Sequence, residues 1–393
     1  MAKPSHIDRD SVPPRAASAL SAPLLSRRAL VGGMSVAALS SSAAGRALLA
    51  WSRECGPDGV RVKYARSLPG GRVKCGVCPL DCELSEGETC FCRTRTNRGG
   101  VLWTDAFANP CIVRVDAIEK MPLAHVTPGG RTLSLGVGGC NVRCLYCQNW
   151  KQSQARPREL QNRKLSPGQV VTSLAGRPVQ TIAYTYTEPV AFLEYVHDVA
   201  AATREKGIRN VVATAGFVRE KPLADLCKVV DAFSFSLKGF DDAFYRKVVG
   251  CGLPPILKAL DVIKNSGTWL EVVTLLVPTL NDDDKSVRAL ARHVARNLGP
   301  DVPLHFSRFV PEYRLKNLPP TPIKTMERAR SLALSEGVRY CYLSNVAPHA
   351  GNDTYCPGCK KAIVKRLGFK ILGNHLKTGA CGFCGHAIPG IHL

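Results

Sequence analysis

Three cysteines at offsets of four and three, Cys140-Asn-Val-Arg-Cys144-Leu-Tyr-Cys147, constrain this chain more than any other stretch. Three thiolates so spaced on one loop can each hold one corner iron of a [4Fe–4S] cube. The fourth iron is then left without a protein ligand. A closed electron-transfer cluster wants a fourth cysteine, and a structural zinc site wants two CxxC pairs or added histidines. An open iron invites a small molecule to bind there. The approach, Leu133-Ser-Leu-Gly-Val-Gly-Gly139, reads as a buried strand breaking into a glycine loop. The loop therefore belongs at the C-terminal mouth of a strand, where α/β barrels place their chemistry.

The 393 residues allow one large domain with appendages, or two domains. The seventeen cysteines fall mostly into three spaced groups, which in so long a chain do not describe a small disulfide scaffold. Metal-bound thiolates in a reducing compartment are the better reading. Cys55, Cys111, Cys227, Cys251 and Cys341 sit apart, mostly in apolar company, and read as core residues. The net charge of +22 is spread along the chain rather than gathered in an arginine-rich run interleaved with aromatics. Nucleic acid is therefore not expected as a partner.

Residues 1–54 form a tail in which Ser26-Arg27-Arg28-Ala29-Leu30-Val31 leads into an apolar stretch, followed by small residues at Ser42-Ala43-Ala44. This resembles a twin-arginine export signal. The apolar run is too short and glycine-broken for a membrane span. Residues 70–125 follow as a cysteine-rich segment, expected to be a knuckle with little regular structure. Cys75, Cys78 and Cys82, with further thiols close behind, offer a four-thiolate site for zinc or a second iron–sulfur cluster. Residues 351–393 carry Cys356-Pro-Gly-Cys359 and Cys381-Gly-Phe-Cys384, two tight CxxC turns that read as a zinc ribbon. A small appendage gains most of its stability from such a metal. A rubredoxin-like iron site is the rival, and paired disulfides are the alternative for an exported protein.

Between these ends, residues 126–350 read as the catalytic domain. From about Arg131 onward, apolar strands alternate with amphipathic helices, the pattern of a parallel α/β barrel. Strands are expected near 132–138, 181–186, 210–215, 232–237, 270–277 and 303–308. Helices are expected near 167–175, 190–206, 221–229, 253–265 and 284–297, with a last one opened by Thr321 as N-cap and Pro322 at N1.

With Tyr146 as the aromatic before its last cysteine, the loop resembles that of the radical S-adenosylmethionine (SAM) superfamily. The six βα units resemble its partial (β/α)6 barrel. The resemblance implies a [4Fe–4S] cluster on Cys140, Cys144 and Cys147 whose open iron chelates SAM. One electron then breaks the sulfonium C–S bond and yields a 5′-deoxyadenosyl radical. In Tyr184-Thr-Tyr-Thr-Glu-Pro189, the pair Thr187-Glu188 takes the place of the family's SAM motif, with Glu188 accepting from the SAM ammonium. Glu188 also suits the start of the helix opened by Pro189. Ser236 and Lys238 at the next strand end but one are expected to reach the ribose and carboxylate, and the strand end Leu275-Leu276-Val277-Pro278, Val277 foremost, to form an apolar edge for the adenine. His305, on a strand near the mouth, is a further candidate, although a lone strand histidine is more often structural.

Within that superfamily the chain is similar to pyruvate formate-lyase activating enzymes and, more closely, to the radical SAM enzyme of the AmmeMemoRadiSam system. The matching segments are Asp116-Ala-Ile-Glu-Lys-Met-Pro-Leu123, Gly139 to Trp150, Tyr184 to Pro189, Ser236 to Phe240 and His305 to Phe309. The similar cysteine knuckle of that family has glycine where this chain has Cys90. This makes Cys92 the fourth ligand beside Cys75, Cys78 and Cys82, and leaves Cys90 spare. Implied partners are a flavodoxin or ferredoxin-type reductant and proteins with AMMECR and Memo domains. SAM and low-potential electrons place the protein in the cytoplasm, while the tail leaves export open. The substrate is not legible. Hydrogen abstraction from a metabolite, glycyl-radical activation of a protein, and a non-catalytic metal-binding module are the readings to separate.

Overall fold

The computed structural model describes residues 55–56 and 59–392. The twin-arginine-like segment lies outside the described residues.

Eight strands make one open sheet: β1 (Ile112–Ala117), β2 (Arg131–Gly136), β3 (Thr181–Tyr184), β4 (Arg209–Thr214), β5 (Ala232–Ser236), β6 (Trp269–Leu276), β7 (Leu304–Arg308) and β8 (Cys341–Ser344). They follow one another in sequence order across the sheet. β1 pairs antiparallel with β2, and every later pair is parallel, from Leu133↔Ile182 through Ser307↔Ser344. Parallel strands covered on both faces have no polar side. Accordingly Thr181-Ile-Ala-Tyr184 is buried throughout, and Phe233 and Phe235 have no exposure.

Six helices carry the crossovers: α1 (Pro167–Ser173), α2 (Leu193–Arg204), α3 (Glu220–Cys227), α4 (Pro254–Ser266), α5 (Asp284–His293) and α6 (Ile323–Ser335). Their ends are chemically marked. Ser166 and Gln169 close a capping box ahead of α1, and α4 stops at left-handed Gly267. The start of α6 differs from expectation. Pro322 takes the N-cap position, while the Thr321 hydroxyl donates to Leu276 O at 2.6 Å and accepts from Phe309 N at 3.0 Å. Thr321 thus ties two barrel loops together instead of capping a helix.

The cysteine-rich N-terminal segment has more regular structure than expected. The hairpin Arg95–Arg98 and Val101–Thr104 turns through Gly99 and Gly100, both at positive φ, as a two-residue hairpin turn requires. A second small sheet joins Ala65–Ser67, Val73–Cys75 and Glu83–Leu84. At the other end, Thr354–Tyr355, Ala362–Leu367 and Lys370–Asn374 form a three-stranded sheet. Buried Arg366 docks it on the barrel, donating to Ala124 O at 2.9 Å and Thr354 Oγ1 at 2.8 Å. Among the described residues, no helix is long and apolar enough to cross a membrane.

Candidate active site

A cavity of about 430 Å3 opens at the C-terminal ends of the parallel strands. Cys140, Cys144, Tyr146 and Cys147 line it from the loop after β2, and Thr187 and Glu188 from the loop after β3. Ser236 and Lys238 line it from the end of β5, and Leu275 from the end of β6. Val277 and His305 do not line this cavity.

The cysteine loop is held mainly through its backbone, and its three cysteines line the cavity, with Cys147 Sγ 3.3 Å from Ser153 Oγ. Arg143 N and Leu145 N donate to Val249 O and Val248 O at 2.8 and 2.9 Å, and Asn141 Nδ2 donates to Phe217 O at 2.6 Å. Gly139 enters the loop at φ 104°, and a Cβ there would stand 2.5 Å from Cys92 O. Only glycine allows that approach. Cys140 and Cys144 are buried, and burial pushes both thiols up in pKa, with the neighbouring Cys147 thiol adding to the shift. Such a set is costly to ionise alone and fits a metal centre, whose charge deprotonates a coordinating thiol outright. The Tyr146 hydroxyl is buried without a partner in the same wall.

Glu188 is more heavily engaged than its sequence context indicates. Its carboxylate accepts from Thr214 Oγ1 at 2.6 Å, Val190 N at 3.2 Å and Ala215 N at 2.8 Å. It is both the cap of the short helix Pro189–Phe192 and a clasp between the β3 and β4 loops. Two oxygens offer about four acceptor positions, so one remains for a ligand on the cavity side. Burial raises the Glu188 carboxyl despite these bonds. The Thr187 hydroxyl donates to Val137 O at 2.6 Å and ties this loop to the cysteine loop. Lys238 Nζ stands 5.8 Å from the centre of the Tyr146 ring. Burial lowers its pKa, but the surrounding thiols and Tyr245 overcome this and hold the ammonium charged.

Residues 135–291 match the Radical SAM superfamily. An uncharacterized protein of Methanocaldococcus jannaschii is 41% identical over 327 residues, 83% of this chain and 97% of that protein. This chain belongs to the Radical SAM superfamily. The pyruvate formate-lyase-activating enzyme of Clostridium pasteurianum is 26% identical over 194 residues, covering 47% of this chain and 77% of the enzyme. A radical SAM methyltransferase from Sphaerobacter thermophilus shares 16% identity and a TM-score of 0.43 over 57% of this chain and 70% of its own, too weak a likeness to carry weight.

In this radical SAM chain, the mouth also holds residues to which sequence reasoning assigned no role. Glu119, Lys120 and Met121 line it from the motif after β1, with Asn149, Ser307, Asn345 and Phe369. Lys120 Nζ lies 2.9 Å from Asp116, which also accepts from the Tyr186 hydroxyl at 2.7 Å. Glu119, Lys120 and Met121 fall in the matching segment Asp116 to Leu123, Asn149 in Gly139 to Trp150 and Ser307 in His305 to Phe309, whereas Asn345 and Phe369 lie in none.

His305 and Val277 require correction. His305 Nε2 donates to Glu271 at 2.7 Å, deep in the barrel, and borders an adjoining cavity beside Arg366 that shares Glu119, Ser344, Asn345 and Phe369 with the first. Glu271 also accepts from Ala124 N, His125 N and Trp269 Nε1. His305 therefore completes a buried network instead of facing the cysteine loop. The Val277 side chain is fully buried and its N–H donates to Asn281 Oδ1 at 2.7 Å, so Leu275 supplies the apolar edge.

Two further thiol groups flank the barrel. The Sγ atoms of Cys356, Cys359, Cys381 and Cys384 all lie within 4.8 Å of one another. Cys356 and Cys384 are 3.6 Å apart, and Cys359 and Cys381 3.7 Å. A tetrahedral ion with metal–sulfur bonds of about 2.3 Å sets its ligands about 3.8 Å apart, so this group fits one ion. At the other end Cys75, Cys78, Cys82 and Cys92 line one small cavity with Arg95 and Asn141. Cys90, expected to be spare, lines it too.

Proposed function

We propose that this protein is a radical SAM enzyme that holds a [4Fe–4S] cluster on Cys140, Cys144 and Cys147 and abstracts hydrogen from a substrate bound in the same mouth. The supporting observation is that these three cysteines share one cavity with Glu188, Ser236 and Lys238 at the strand ends. When bound, the cluster and SAM supply a 5′-deoxyadenosyl radical through one-electron cleavage. The protein's part is to bind and orient. Glu188 offers its remaining acceptor position to the SAM ammonium, and Lys238 a cation to the carboxylate. Ser236 would meet the ribose and Leu275 the adenine, while Tyr146 and Thr187 form part of the walls. Met121 and Phe369 add apolar surface to the lining.

A flavodoxin or ferredoxin-type protein is the proposed reductant, zinc the proposed ion at the four C-terminal cysteines, and the cytoplasm the proposed compartment. AMMECR and Memo domain proteins are proposed partners on the strength of the family motifs. A second reading, activation of a glycyl radical enzyme, is favoured by the 26% identity to pyruvate formate-lyase 1-activating enzyme of Escherichia coli K12 over 49% of this chain and 85% of that enzyme. The test is anaerobic reconstitution with SAM and dithionite, followed by chromatography for 5′-deoxyadenosine. Its absence from cluster-loaded protein would exclude both readings.

A further inference from the structure

The five N-terminal cysteines take no part in the chemistry described above, yet they are built against it. The amide of Cys140 donates to Cys92 O at 3.2 Å. Asn141, next along the cluster loop, lines the N-terminal cysteine cavity. Arg143 donates to Cys140 O at 2.6 Å and covers the Phe91 ring at 3.8 Å. One hydrogen bond thus joins the backbone of a cysteine in one thiol set to the backbone of a cysteine in the other.

Size distinguishes the N-terminal thiols from the C-terminal ones. Among the described residues, the C-terminal four are the one set whose ligand atoms all close within 4.8 Å. The five N-terminal cysteines line one cavity but do not close within that distance. Ligands of an iron–sulfur cube sit on different irons and stand farther apart than four ligands on one ion. Charge agrees with this. Arg95, 1% exposed, donates to Cys92 Sγ at 3.7 Å while paired with Glu194 at 2.9 Å. A buried guanidinium beside thiolates offsets the negative charge of a thiolate-ligated cluster. Access agrees as well. Cys82 is half-buried, as is Cys147, whereas Cys140 and Cys144 are buried; in the proposed function SAM and substrate would occupy the cavity that Cys147 lines.

We infer that the pocket of Cys75, Cys78, Cys82, Cys90 and Cys92 holds a second iron–sulfur cluster that relays single electrons to the cluster on Cys140, Cys144 and Cys147. The recipient rests on the function proposed above; the second cluster does not. A low-potential flavodoxin or ferredoxin-type donor loses one electron, the N-terminal cluster gains it and passes it on, and no atom is transferred.

The test uses full-length protein with Cys140, Cys144 and Cys147 all replaced by Ala, reconstituted anaerobically. Mössbauer spectroscopy should show an iron–sulfur signal, with roughly half the wild-type iron if both centres are cubes. Zinc, or no iron, in this variant would overturn the second cluster. Cys82→Ser in otherwise wild-type protein supplies the relay test. Reduction of the remaining cluster by flavodoxin, followed by EPR, should slow at least about tenfold, while reduction by dithionite and the spectral response to SAM persist. An unchanged flavodoxin rate would overturn the relay. A missing SAM response in wild-type protein would instead implicate the proposed function.

Discussion

Replacing Glu188 by Ala should destabilise the fold before it says anything about SAM. The carboxylate satisfies two buried N–H groups, of Val190 and Ala215, and the Thr214 hydroxyl. Alanine leaves both amides without an acceptor, while the hydroxyl can turn elsewhere. At about 1–3 kcal/mol per unsatisfied buried donor, the expected loss for the two amides is about 2–6 kcal/mol. Glu188→Gln keeps one acceptor oxygen and should cost less. The assay is urea unfolding of metal-free protein under anaerobic conditions, read by far-UV circular dichroism. A Glu188→Ala variant within about 0.5 kcal/mol of wild type would refute the clasp. The pH dependence has a definite sign. Burial raises the folded-state pKa of Glu188 above its unfolded value. Its contribution therefore favours folding at low pH and is lost as pH rises through the folded pKa. A SAM ammonium beside the ionised carboxylate offsets that loss, so SAM binding should tighten as pH rises through the same range.

Glu271 has the opposite sign. Burial alone would raise it, but the His305 hydrogen bond and nearby charges pull it to about 2. The associated stability is present above the unfolded carboxylate pKa and disappears as pH falls toward 2, so Glu271→Gln should flatten the acid-unfolding curve in that window. Zinc removal should unfold the C-terminal sheet and spare the barrel. One zinc per chain by elemental analysis, and loss of hydrogen-exchange protection confined to Ala362–Leu367 and its neighbours after chelation, are the expected results. Arg95→Met should cost about 3–5 kcal/mol by stranding the buried Glu194 carboxylate, and Arg95→Met with Glu194→Met should recover part of that loss. Chemical denaturation of the single and double variants checks this.

Much of the architecture was legible because parallel strands buried on both faces appear as apolar runs between amphipathic helices. The strands at 181–184, 232–236 and 269–276 fall within or beside the expected stretches. Two strands escaped. Cys341–Ser344 closes one edge of the sheet after the last expected helix, and Ile112–Ala117 is half-buried at the antiparallel edge. Cysteine spacing disclosed all three thiol groups because ligand offsets are local. It could not show that Cys90 lines the same cavity as the other four, since that depends on how the knuckle folds. His305 illustrates the opposite limit. A histidine on a strand can point to the mouth or to a buried acid, and Glu271, 34 positions away, decides for the acid. Phe369 reaches the mouth from a sheet far along the chain, a placement no local pattern encodes.

The most direct test of the central claim compares wild-type protein with the Cys140, Cys144, Cys147 triple-alanine variant, both reconstituted with iron and sulfide and given dithionite and SAM without oxygen. Wild-type protein should form 5′-deoxyadenosine and methionine in equal amounts, and the variant should form neither, although it keeps its fold. Wild-type rates in the variant, or no SAM cleavage by cluster-loaded wild-type protein, would contradict the account.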